Sequence, residues 1–355
     1  MYSRPLEEIP AQIVHNGKIN FGTFDGVTDK IDIRGVHAPF AGLPVAKYFS
    51  NFRIKSKLFF AFSVENYIGL AEFFDDKAFG LAEVIFWDTK TGQKFAYHTF
   101  MGPRRRFIPV DTVHAACTSF GKTRYIRINW NRKQNKVCLT FTVKGDKYRP
   151  SAKGKFIGRI AEGSKSQILT VSPAPTRQRC SATWAVPLKL EGGVAQAKHR
   201  HYIKEIPQNN GIGCLLLNRI YLRFVSQCEL MFGLAKLDGK DIVFSISNSN
   251  QAPVDPDECN DNFLSVNGQI TALPSVTITH PFGLMEKWII QDYENMVDLT
   301  FNPASSNSRT LNIIVMRNSY TTICGTFEGV LLTENGEKVV LKNCPGIIKK
   351  NRLRL

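Results

Sequence analysis

The sequence predicts an all-β protein made of antiparallel barrels or sandwiches. Apolar and polar residues alternate with period two over short segments, turn residues separate those segments, and long helical periodicity is nearly absent. Many short strands joined by turns suggest barrels or sandwiches.

Taken in order, "AKYFSNFRI" holds a turn or two of helix. "KSKLFFAFSVEN" is a Phe-rich strand ending at Asn66, and "GLAEVIFWDTKTGQKFAYHTF" reads as strand, turn at Asp88–Gly92, strand. In "TRYIRINWNRKQNKVCLTFTVKG", Ile126, Ile128 and Trp130 share one face, and Val137, Leu139, Phe141 and Val143 share the facing side. The loop Asn131–Lys136 joins the two runs into a hairpin with one wet face. Ser172-Pro173-Ala174-Pro175 breaks any strand and marks a boundary between domains 1–175 and 176–355. The polar, acidic stretch 247–262 reads as a mobile insertion. Asn335-Gly336 signals a final hairpin.

"MEKWIIQDYENMVDLTFNP" gathers Glu286, Asp292, Glu294 and Asp298 around Trp288. A turn at Asp292–Asn295 sets Trp288 opposite Leu299, Ile290 opposite Val297 and Glu286 opposite Phe301. Trp288, Val297, Leu299 and Phe301 then share a face, Asp292 and Glu294 are turn residues, and Asp298 points away. The acids therefore scatter. Glu286 alone continues the Trp288 row, where a carboxyl beside an indole in an apolar setting could act as an acid.

The chain has 355 residues, 43% of them hydrophobic, enough for two domains that each bury a core. The eight cysteines are scattered, with no CxxC pair. They read as buried thiols in a cytoplasmic protein with no spanning helix and no secretory signal. The net charge of +16 is uneven: residues 122–177 hold 14 Lys+Arg against 2 Asp+Glu. Such a run is usually a solvated face, and it can also attract an anionic membrane surface. Lys349, Lys350, Arg352 and Arg354 could extend it. Nucleic acid is disfavoured, because Trp130 lies on the apolar face rather than among the basic residues.

Two further constellations could carry chemistry. "KHRHY" places His199 and His201 on one side of a strand, with no third ligand in view, so neither a metal nor a cofactor is expected. "GPRRRF" offers Arg104, Arg105 and Arg106 to an anion. No nucleophile elbow, phosphate loop, dinucleotide fingerprint or HExxH occurs.

"NGKINFG", "FRIKSKLFFAFSVENYIGLAEFFDD" and "KTRYIRINW", with "EKWIIQDYENMVDLTFNP" and "GTFEGVLLTENGEKVVLKNCPGIIKKNRLRL", resemble the family of domain of unknown function 2804. The resemblance spans nearly the whole chain. It implies two lipocalin-like (calycin-type) β domains packed together, with distant kinship to carotenoid hydratase and AttH-type proteins. The middle departs from the family pattern. "CLLLNRIYLRFVSQCELMFG" has Asn218 and Arg219 where an acid and arginine are expected, and lacks the following tryptophans.

The reading reached is a binder of an apolar or amphipathic small molecule, of lipid or isoprenoid type, in a barrel or between domains. Trp288, Asn218 and Arg219 are its candidate ligand contacts. The alternatives are an enzyme doing acid-assisted hydration or isomerisation with Glu286, His199 or His201, and a basic adaptor on anionic membrane or nucleic acid.

Overall fold

The structure is a computed structural model that describes residues 4–40, 46–102, 107–147, 149–197, 205–255, 257, 259–313 and 316–354. His199, His201, Arg104, Arg105 and Arg106 lie outside the described residues.

The chain is nearly all strand. A small hairpin of β1 (Val14–His15) and β2 (Lys18–Ile19) precedes β3 (Gly22–Asp25) and the one described α-helix, α1 (Lys47–Phe52). There follow β4 (Ile54–Val64), β5 (Tyr67–Asp75), β6 (Gly80–Asp88), β7 (Lys94–Met101), β8 (His114–Gly121), β9 (Arg124–Asn131), β10 (Lys136–Val143), β11 (Ser151–Ile160), β12 (Ile168–Pro173), β13 (Cys180–Ala197) and β14 (Asn209–Tyr221). With β3 they form one antiparallel sheet, ordered β7-β6-β5-β4-β14-β13-β11-β10-β9-β8, with β12 and β3 hung on β13. It curls into a nearly closed barrel. Across the gap, Arg124 and Arg149 on the β9 side donate to the β7 carbonyls of His98 and Ala96.

The second sheet takes β15 (Val225–Leu237), β16 (Lys240–Ser249), β17 (Phe263–Val266), β18 (Gln269–Ala272), β19 (Thr277–Thr279), β20 (Trp288–Gln291), β21 (Val297–Ile313), β22 (Met316–Leu332) and β23 (Lys338–Arg354). Its order is β18-β17-β16-β15-β23-β22-β21-β20-β19, a half-barrel. The long strands bend at irregularities near Pro303 and Gly329. Gly329 has φ +128°, and a Cβ there would sit 2.1 Å from the Asp298 carbonyl oxygen, so only glycine fits.

Several sequence expectations hold in register. Val137 pairs with Trp130, Leu139 with Ile128 and Phe141 with Ile126. The Asn335-Gly336 turn joins β22 to β23, and all eight cysteines are free, six of them buried. No helix among the described residues is long and apolar enough to cross a membrane. The basic residues Arg127, Lys136, Lys155 and Arg159 alternate with buried ones and face solvent.

Other expectations need correcting. The stretch around Pro175 is the turn between β12 and β13, which pair with each other, so the expected 175/176 boundary falls inside the first sheet. The chain passes to the second sheet at Leu222–Phe224. In the hairpin after Glu286, Trp288 pairs with Phe301 and Ile290 with Leu299, two residues off the expected register. The Asp292 carboxylate accepts the amides of Glu294, Met296 and Val297, which winds a longer turn than the one assumed. The shift is even, so the same side chains still face inward.

Three layers of apolar side chains fill the molecule. The barrel interior holds Phe60, Phe62, Phe86, Phe141 and Phe156, with Trp130 edge-on to Trp184 at 6.0 Å. Of the two places expected for a ligand, in a barrel or between domains, the first is occupied in this sheet by aromatic side chains. The concave face of the half-barrel buries Trp288, Phe244, Phe301 and Phe327. Between the sheets, Phe59, Leu70, Ile85 and Leu216 on the outside of the barrel meet Leu230, Phe232, Val243 and Ile347. Strands β4 and β14 are therefore apolar on both faces, one facing the lumen and one the second sheet.

Candidate functional site

The inter-sheet layer is not packed to its edge. At one end it opens into a cavity of about 300 Å³. Strand pairing dictates what lines it, because directly opposed residues on neighbouring strands share a face. Leu216 on β14 and Phe59 on β4 form an apolar row that continues into Glu72 on β5 and Glu83 on β6. The next row runs Thr183–Asn218–Lys57. On the second sheet, Ser247, Leu230 and Lys349 form one facing row, and Ser249, Cys228 and Asn351 another.

The segment after β16 completes the wall. Gln251, Pro253, Cys259, Asp261 and Asn262 all border the cavity, and Tyr293, largely exposed, stands at its rim. The stretch expected to be a mobile insertion is thus part of the site. Asn262 ties it down, accepting from the Ser247 amide and donating to the Pro274 carbonyl.

A chain of hydrogen bonds crosses the first-sheet wall. Asn218 Nδ2 donates to Ser181 Oγ and to Thr183 Oγ1, each at 2.8 Å, and Thr183 donates to Asp261 Oδ2 at 2.8 Å. The other Asp261 oxygen is buried with no hydrogen-bond partner. Burial raises the Asp261 pKa to about 6, against the opposing pull of the Thr183 hydroxyl.

Deeper between the sheets lies a buried ionic group. Lys349 forms an ion pair with Glu72 and lies 3.8 Å from Glu83, whose other oxygen accepts from the Tyr320 hydroxyl at 2.7 Å. Burial and the Lys57 charge pull the Lys349 pKa down. Burial lifts Glu83 from the ordinary carboxyl range to about 7. The folded protein therefore holds a proton on Glu83 that the unfolded chain gives up. The stability gained from that proton is fully present below the ordinary carboxyl pKa and is lost as pH rises through about 7. Glu83→Gln should flatten this decline, measured by urea denaturation at about pH 5 and about pH 8. An unchanged difference between the two pH values would mean that Glu83 ionises as if in water.

The sequence candidates separate. Asn218 lines the cavity. Arg219, its neighbour, points the other way and plugs the barrel, donating to Ser56 Oγ and to the carbonyls of Ile108 and Pro109. Trp288 borders no part of the cavity. It is fully buried in the half-barrel core, with its indole N–H donating to the Leu284 carbonyl at 3.0 Å and His280 at 4.2 Å between centroids. Glu286 is exposed before β20 and borders no part of the cavity. The remaining acids of that hairpin are structural: Asp292 caps the turn, Glu294 pairs with Arg4 and Asp298 accepts from Gln291. Lys349, expected on a basic outer face, points inward, whereas Arg352 and Arg354 face solvent.

Sequence reasoning missed Lys57, Thr183, Asp261 and Lys349. One signal was available. The tetrapeptide "GLAE" occurs twice, ending at Glu72 and Glu83, each time within a long apolar run. An acid in a strand buried on both faces needs a partner.

No protein of curated function matches the chain. Among solved structures, kievitone hydratase from Nectria haematococca aligns at 10% identity and TM-score 0.46, covering 84% of this chain and 88% of that one. A putative AttH from Nitrosomonas europaea aligns at 12% identity and TM-score 0.47, covering 88% of this chain and 96% of that one. Residues 7–355 match the family described as a domain of unknown function (DUF2804), and the chain belongs to that family.

Proposed function

We propose that this protein binds an apolar or amphipathic small molecule, of lipid or isoprenoid type, in the cavity between its two sheets. The cavity itself carries the reading. At about 300 Å³ it matches the smaller end of small-molecule sites. It sets an apolar wall of Phe59, Leu216 and Leu230 against a few convergent polar groups, those of Thr183, Asn218 and Asp261. The aromatic side chains filling the barrel interior support a ligand site between the sheets rather than inside the barrel. Glu286, one of the residues proposed for acid-assisted hydration or isomerisation, stands outside the cavity.

Native mass spectrometry of the purified protein tests the reading. The unmodified protein should carry a small-molecule adduct that denaturation releases. Leu216→Trp projects an indole into the cavity and should cut adduct occupancy at least about tenfold, with the circular-dichroism spectrum unchanged. Equal occupancy in the two proteins would place the ligand elsewhere.

A further inference from the structure

One charge in the cavity has no counterpart. Lys57 enters from β4, flanked in its row by Asn218 and by Phe74, whose ring centroid is 6.0 Å from the ammonium. Among the described residues no hydrogen bond or ion pair reaches it, and burial lowers its pKa. Of the other charged groups bordering the cavity, Lys349 is ion-paired with Glu72, and Asp261 accepts from Thr183 through one oxygen while its second oxygen has no hydrogen-bond partner. Asn218, beside Lys57, gives both amide hydrogens to Ser181 and Thr183 and makes no hydrogen bond with it.

The cavity is also polarised. Thr183, with Asp261 attached, and Lys57 stand two strands apart along one row, about 10 Å at ordinary strand spacing. One end presents a carboxyl and hydroxyls. The other presents a lone ammonium beside the apolar surfaces of Phe59, Leu216 and Leu230. Lys57 is half-buried, so a ligand that fills the cavity covers its ammonium, and one that supplies a counter-ion avoids the cost of leaving that charge unpaired.

Resting on the binding role proposed for this cavity, we infer that its ligand is an amphipath with one carboxylate head, held by Lys57, and an apolar chain laid along Phe59, Leu216 and Leu230. An alcohol of the same length would fill the same space but leave the ammonium unmatched. An alkylammonium would bring a second positive charge beside it.

Calorimetric titration with decanoate, decanol and decyltrimethylammonium separates these cases. The unmodified protein should bind decanoate about ten- to a hundredfold more tightly than decanol, and the ammonium most weakly. Lys57→Met should abolish the preference while keeping the decanol affinity, and Lys57→Arg should retain it. Lys57→Met removes a half-buried charge that has no ion pair, so its melting temperature should not fall below that of the unmodified protein. Equal binding of decanoate and decanol, with both lost in Leu216→Trp, would overturn the carboxylate inference and leave the cavity reading standing. A preference that survives in Lys57→Met would overturn it as well. Binding of neither ligand, or binding indifferent to Leu216→Trp, would sink the cavity reading and this inference together.

Discussion

Lys349→Met should lower the unfolding free energy by about 3–5 kcal/mol, the loss typical when one partner of a buried ion pair is removed. Glu72 and Glu83 are direct cross-strand partners on β5 and β6, both buried against the second sheet. Lys349 is the cation set between them, in ion-pair contact with Glu72 and 3.8 Å from Glu83. Methionine keeps the length of the side chain but leaves two carboxyls facing each other out of water. Urea denaturation at neutral pH reads the loss. Two refinements follow from the geometry. Adding Glu72→Gln to Lys349→Met should recover more than half of it, because the remaining acid, Glu83, is readily held neutral. Lowering the pH to about 5 should also shrink it, because protonation relieves the carboxyl repulsion. A loss under about 1 kcal/mol would mean that the group is solvated like a surface salt bridge.

Trp184→Ala should cost a comparable amount, about 3–5 kcal/mol, through an unrelated mechanism. Trp184 is fully buried in the barrel, packed edge-on to Trp130, with its indole N–H donating to Gln167 Oε1 at 3.3 Å. Truncation opens a void that rigid strands cannot close. Its neighbour Thr183 points to the opposite side of β13, into the cleft, so the substitution should leave ligand retention per folded molecule unchanged. Leu216→Trp should behave in the reverse way, losing ligand at a smaller stability cost, about 1–3 kcal/mol. Urea denaturation and native mass spectrometry on the two variants separate lumen from cleft. If Trp184→Ala abolishes retention while remaining folded, the lumen and the cleft are not the independent compartments described here.

How much of this was legible in the sequence depends on the range of the interaction. Hairpins are local, and the pairing of Trp130 with Val137 follows from alternation and one short loop. The Trp288 hairpin kept its inward face but not its register, because the Asp292 carboxylate gathers three amides, a side-chain effect that alternation does not encode. The change of sheet at Leu222–Phe224 was hidden because β13 and β14 extend the first sheet past the proline-rich turn. Asn218 was singled out through the family resemblance, and it does line the site. Arg219, one residue on, faces the opposite side of the same strand, as period two requires. Lys57, Asp261 and Lys349 converge only because the outer face of one sheet is laid on another, and no local pattern specifies which faces meet. The two "GLAE" acids were the readable trace of that contact, since a carboxyl amid strands apolar on both faces implies a second covering layer.

A crystal structure of the protein grown with decanoate tests the carboxylate-binding cleft most directly. Continuous density for the chain is expected between Leu216 and Leu230, with the head group at Lys57. An empty cleft, with density instead inside the barrel or on the concave face around Trp288, would contradict it.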